Sequence, residues 1–199
     1  MALIEVADGD VAAVVTTLEM DKRPPLRPFP ASSLRLVAWP RVDPSRYRAL
    51  FARIGTPWLW YSRLALTDDA LVAIIHDARV EVHAVIDRAG IEVGMLELDR
   101  RAPRICEIAY FGLIRELAGK GHGRWLMAEA LARAWVGDVE RLRVNTCTLD
   151  HPHALGFYRA QGFVAVRRTL ETFPDPRALG LVPADAAPHV PYLGARRSG

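Results

Sequence analysis

Five consecutive residues, Gly119-Lys120-Gly121-His122-Gly123, alternate glycine with basic side chains. Glycine lets a backbone approach a ligand with no Cβ in the way. An apolar run precedes them (Ile105, Cys106, Ile108, Ala109, Tyr110, Phe111, Leu113, Ile114), with the length and composition of a buried strand. After them Leu126, Met127, Ala130, Leu131, Ala134 and Trp135 recur at three- and four-residue spacing, which predicts a helix with one face on a core. In the order strand, glycine loop, helix, the first-turn amides have no intrahelical acceptors and the helix dipole favours negative charge, so the loop is a candidate phosphate site. Lys120 and Arg124 either neutralise phosphates there or are solvated loop cations. Glu107 stands inside the apolar run, where a carboxylate is costly unless paired or used.

Two familiar phosphate loops do not fit. A Walker loop needs Ser or Thr directly after its lysine to reach magnesium, and here Gly121 follows Lys120. A dinucleotide fingerprint spaces its glycines Gly-x-Gly-x-x-Gly and closes the next strand with an acidic residue; here the glycines are two apart and the strand Leu142 to Cys147 ends without one.

A second motif follows at Asp150-His151-Pro152-His153-Ala154-Leu155-Gly156-Phe157-Tyr158-Arg159-Ala160-Gln161-Gly162-Phe163. Together with the glycine loop it resembles the GNAT superfamily of acyl-CoA-dependent N-acyltransferases, over roughly residues 80–170. In that family an Arg/Gln-x-x-Gly-x-Gly/Ala loop holds the CoA pyrophosphate, and a later helix carries Ala, Tyr and Gly-Phe at the spacing of Ala154, Tyr158 and Gly162-Phe163. Two positions depart from the pattern: Ala118 stands where Arg or Gln opens the loop, and His151 where Asn often precedes the Tyr.

The resemblance implies acetyl-CoA as cosubstrate, no metal, and transfer of an acetyl group to a primary amine by direct attack in a ternary complex. Phe111, Gly112 and Leu113 would present backbone to the pantetheine arm and thioester oxygen. Ala118, Gly119, Lys120, Gly121, His122, Gly123, Arg124, Ala154 and Phe157 would complete the cofactor site. Tyr158 is the candidate acid for the leaving thiolate, or else a core tyrosine with its hydroxyl satisfied. Glu107 is the candidate base, acting through water, or else the ion-pair partner of a neighbouring arginine such as Arg104 or Arg143; Glu97 and Asp99 are weaker substitutes. Glu107 shares alternation parity with Phe111 and Leu113, so without a bulge it points to their side. Trp58, Trp60 and Tyr61 either wall the acceptor site or fill core. The rival reading is a CoA-binding module of the same fold without turnover.

These residues need a scaffold. Ile4 to Met20 and Leu34 to Trp39 read as strands, separated by a proline-rich arm that ends at Pro30. Asp43-Pro44-Ser45 and Thr67-Asp68-Asp69 read as starts of two helices, the first ended by Gly55. Val80 to Ile86 and Ile91 to Leu98 flank Asp87-Arg88-Ala89-Gly90 as a hairpin. Leu142 to Cys147 is a strand, Pro152 to Gln161 a helix and Phe163 to Thr169 a last strand, with a wrapped or loose tail beyond. The order β-α-α-β-β-β-α-β-α-β predicts an α/β mixed sheet with helices on both faces. The resemblance makes it mostly antiparallel, with the strands at Ile105 and Leu142 splayed. One domain is expected over 1–199: an arm at 1–42, a core at 43–173 with acyl-CoA motifs at 105–163, and a tail at 174–199.

Composition sets outer bounds. With 26 Lys and Arg against 23 acids and no basic run, nucleic acid and anionic membranes are not expected partners. Cys106 and Cys147 sit in apolar runs, as buried thiols do. No signal segment and no apolar stretch of membrane-spanning length is seen, so a cytoplasmic location is expected. A homodimer is possible.

Overall fold

The computed structural model describes residues 3–25 and 28–193. Leu26 and Arg27 of the proline-rich arm and residues 194–199 of the tail lie outside the described residues. The strands are β1 (Asp10–Met20), β2 (Arg35–Ala38), β3 (Val80–Ile86), β4 (Glu92–Asp99), β5 (Ile105–Leu113), β6 (Arg141–Cys147) and β7 (Val164–Pro174). The helices are α1 (Pro44–Gly55), α2 (Asp68–Ile75), α3 (His122–Ala134) and α4 (Ala154–Ala160). All seven strands join one sheet in the order β2-β3-β4-β5-β6-β1-β7, one strand more than the predicted order because both amino-terminal segments pair. Among the described residues only β5 and β6 run parallel. The last strand outruns the expected Thr169 because Thr172 to Pro174 pair with Asp10 to Ala12.

Local chemistry explains the elements. The Asp43 carboxylate accepts from the amides of Ser45 and Arg46, Pro44 opens α1, and Tyr47, Leu50, Phe51 and Ile54 are its buried stripe. Thr67 caps α2 through the amide of Ala70. In the β3–β4 hairpin the Asp87 carboxylate takes the amides of Ala89 and Ile91. The sheet is covered on both faces: α3 and Tyr158 of α4 lie over one core, with Leu96, Cys106, Ile108 and Leu142, and α1 and α2 over the other, with Val82, Ala84 and Met95.

A bulge in β5 decides what its residues face. Glu97 pairs with Tyr110 and Leu98 with Ile108, leaving Ala109 unopposed. Cys106, Ile108, Phe111 and Leu113 therefore share the α3 core, while Tyr110 packs on the α1 side.

The tail is wrapped. Arg177 and Asp175, 2% and 3% exposed, form an ion pair at 2.7 Å. The Arg177 guanidinium also donates to the carbonyls of Ala186, Val190 and Pro191. This knot holds Val182, Ala186 and Ala187 against Val11, Ala13 and Phe173 of the β1–β7 ribbon and against Leu59 and Leu149.

Candidate active site

Pairing between β5 and β6 stops at Ile108 with Val144, while β5 continues to Leu113 and β6 to Cys147. Beyond that point the strands part, and the β5 backbone edge faces a cavity instead of a partner. The cavity measures about 470 Å³, within the range that encloses a small molecule. It begins at Leu117, Ala118, Gly119 and Gly123, passes between Ile108–Leu113 and Val144–Cys147, and reaches Tyr61, Glu171 and Phe173.

At the loop end, Gly119 and Gly121 adopt φ of +75° and +83°, a left-handed conformation that glycine takes without strain. Gly121 turns the chain into α3, whose first amides open on the loop. Ala118 lines the cavity and offers no side-chain donor there. Lys120, His122 and Arg124 do not line it. His122 instead meets the Ser32 hydroxyl at 2.9 Å through Nδ1, tying the loop to the amino-terminal arm. Arg115, which the sequence reading passed over, is the one Arg or Lys among the described lining residues.

In the middle, Gly112 lets the α1 side approach: a Cβ there would stand 2.6 Å from Ile54 Cγ2. Phe111 and Phe157 face each other at 5.8 Å, and Ala154 lines the wall with them. Tyr158 is buried, 7% exposed, with its ring edge-on to Phe111 at 6.2 Å. Its hydroxyl makes no hydrogen bond among the described residues. Burial, helped by the charge of Asp150, pushes its phenol well above the ordinary value, so the group is protonated throughout the physiological range.

Glu107 is elsewhere, and its expected orientation is corrected. The bulge at Ala109 reverses the alternation, so Glu107 and Phe111 point to opposite faces. Glu107 lies with Asp99, Arg101 and Ala102 in a separate depression and accepts a hydrogen bond from Asn145 Nδ2 at 3.0 Å. Burial pushes its carboxyl up, against the lowering effect of Arg143 and Asn145. The weaker substitutes are also placed outside the cavity. Glu97 is fully buried, taking the Tyr47 hydroxyl at 2.5 Å and Arg63 Nη2 at 2.7 Å, and Asp99 is held by Arg101.

At the far end stand the aromatics between α1 and α2. Trp58 lines the cavity, edge-on to His151 at 5.4 Å and His189 of the tail at 6.0 Å. Trp60 packs on Phe51 and Tyr110 and also lines the cavity. Tyr61 stacks on Phe173 at 4.6 Å. The Tyr110 and Ser62 hydroxyls bond each other on this wall, and Arg63 lies over the Tyr110 ring at 5.1 Å.

The arrangement is a cleft with an amide-rich loop at one end, an unpaired strand edge along it and a protonated phenol inside. A family model described as the acetyltransferase (GNAT) family matches residues 34–163. The chain belongs to the GNAT family. A comparison with curated proteins gave no match.

Solved GNAT structures share the fold. A GCN5-related N-acetyltransferase from Sphaerobacter thermophilus superposes with a TM-score of 0.59 at 16% identity, over 84% of this chain and 52% of that one. One from Kribbella flavida gives 0.51 at 18%, over 84% and 60%. An acetyltransferase from Thermus thermophilus gives 0.53 at 19%, over 72% and 97%. This GNAT chain thus spans about half of the Sphaerobacter chain and nearly all of the Thermus one. Among the described residues of this GNAT chain no group of His, Cys, Asp and Glu is placed to hold a metal, and no helix is long and apolar enough to cross a membrane. Cys106 is buried and Cys147 half-buried, both as free thiols.

Proposed function

We propose that this chain is an N-acetyltransferase that moves the acetyl group of acetyl-CoA to a primary amine by direct attack in a ternary complex. The observation that carries this reading is one continuous cavity from the glycine loop, through the parted β5 and β6, to Tyr158 and the aromatic wall. The residues fit the cosubstrate: left-handed glycines at a helix start suit a pyrophosphate, and the free edge of β5 suits a chain of amides. Backbone near Phe111 and Leu113 would stabilise the thioester oxygen as it gains charge. Tyr158, held protonated, would donate its proton to the leaving sulfur, and its orphan hydroxyl has no competing partner among the described residues.

None of Glu97, Asp99 and Glu107 lines this cavity, so the proton lost by the attacking amine would leave through solvent and restore the Tyr158 phenol after it has protonated the sulfur. The cation Arg115 and the loop cations Lys120 and Arg124 give one end a positive field for a polyanionic cosubstrate.

The test is release of free CoA from acetyl-CoA in the presence of a panel of primary amines. Turnover that needs both partners supports the reading. Ala118 favours one alternative, a CoA-binding module without turnover, because it removes a side-chain contact to phosphate; tight CoA binding with no transfer to any amine would select it.

A further inference from the structure

Glu171 of β7 faces this cavity, and nothing in the proposed transfer uses it. It pairs in register with Ala13 of β1, and both line the far end. Its carboxylate makes no ion pair or hydrogen bond among the described residues. The other lining carboxylate, Asp150, is committed: its Oδ2 accepts from Thr146 Oγ1 at 2.8 Å and from the Cys147 amide at 2.9 Å. Burial first, and the charge of Glu171 in addition, pushes up the Tyr61 phenol.

The surroundings narrow what such a group would bind. Trp58 lines the cavity with an aromatic surface, and a ring face, unlike a ring edge, favours a cation over an anion; the Tyr61 face is taken by Phe173 and the Tyr110 ring by Arg63. Arg115 stands at the opposite end, so the cavity runs from positive at the loop to negative at Glu171. In the sheet order β6-β1-β7, Glu171 lies two strand spacings past the wall of the gap, on the order of 10 Å at about 4.8 Å per spacing. That is too far for the carboxylate to touch an amine attacking beside Tyr158. It is the right place for a second charge on the same molecule.

We infer that Glu171 binds a second cationic group of the acceptor, so that the preferred acceptor is a small extended amine with two positive charges separated by roughly 10 Å. The inference rests on the acetyltransferase reading of the same cavity and names the acceptor class within it. Glu171 makes a charge-assisted hydrogen bond to the remote ammonium, and the aromatic wall covers the linking methylenes.

The probes are hexamethylenediamine and hexylamine, of the same length with two charges and one, titrated calorimetrically into the full chain saturated with CoA. Wild type should bind the diamine about tenfold or more tightly than the monoamine, the value of one charge-assisted hydrogen bond. In Glu171→Gln that preference should vanish while affinity for CoA is unchanged. Glu171 is exposed on an edge strand, so the variant should fold, which its unfolding temperature will show. Equal binding of the two amines by wild type, including no binding of either, overturns the inference, as does a preference that survives in Glu171→Gln. Failure of wild type to bind CoA at all overturns the acetyltransferase reading instead, and the inference with it.

Discussion

Glu107 and Phe111 lie on opposite faces of one strand although they are four residues apart, because Ala109 is left unopposed between them. Regular alternation would have put both on one face. Glu107→Gln should therefore leave kcat/KM within about threefold of wild type, the scatter of an indirect effect. Its stability effect has a sign. Burial raises the folded carboxyl above its ordinary 4.5, so the charged form is disfavoured by folding and the native state loses stability as pH rises through that region. Glu107→Gln should be at least as stable as wild type at neutral pH. The difference should close below the ordinary carboxylate range, as unfolding scans across pH will check.

Tyr158→Phe should lower kcat by about 100-fold, the scale of lost general acid catalysis, while leaving CoA affinity and unfolding temperature near wild type. Because burial raises the phenol above its ordinary 10.0, the proton-donating form persists past that pH. The wild-type rate profile should show no alkaline fall at or below pH 10.0 from this group. A fall centred on the ordinary value, absent from the Phe variant, would show the hydroxyl to be solvated and the burial argument wrong.

Gly121→Ala separates loop conformation from space. The nearest atom to an added Cβ is the Arg124 guanidinium at 3.8 Å, so there is room. The φ of +83° is the difficulty, costing about 1–2 kcal/mol for a residue with a Cβ. A modest drop in unfolding temperature with weakened CoA binding is expected. Binding unchanged at the same stability loss would remove this glycine from the phosphate loop.

Arg177→Met should cost about 3–5 kcal/mol, because it leaves Asp175 charged, buried and unpaired. It also removes the donors that hold the carbonyls of Ala186, Val190 and Pro191. Limited proteolysis should then cut between 178 and 193 well before the sheet unfolds. Since His189 of this segment flanks Trp58, acceptor binding should weaken more than CoA binding.

The sequence carried the parts of this site that depend on local rules. Left-handed glycines, the capped starts of α1 and α2, the Asp87 turn and the strand–loop–helix order follow from residue type and spacing, and the two motifs brought the family resemblance that the fold bears out. What escaped depends on pairing between distant segments. A bulge is a mismatch of register between β4 and β5, which neither strand shows alone. The Asp175–Arg177 knot looks like two ordinary surface charges until the tail folds over them. Glu171 reaches the cavity only because β7 pairs with β1 past the end expected for it, and Arg115 only because β5 parts from β6.

The most direct test of the account is thermal unfolding of the purified chain with acetyl-CoA, CoA, ATP and NAD in turn. A ligand bound only by the native state at 100 times its dissociation constant adds about 2.7 kcal/mol, a shift of a few degrees. Stabilisation by acetyl-CoA and CoA, and by neither ATP nor NAD, is the predicted result. Stabilisation by a nucleotide with no effect of either CoA form would contradict it, and the assignment of the β5–β6 cavity and of Tyr158 would fall together.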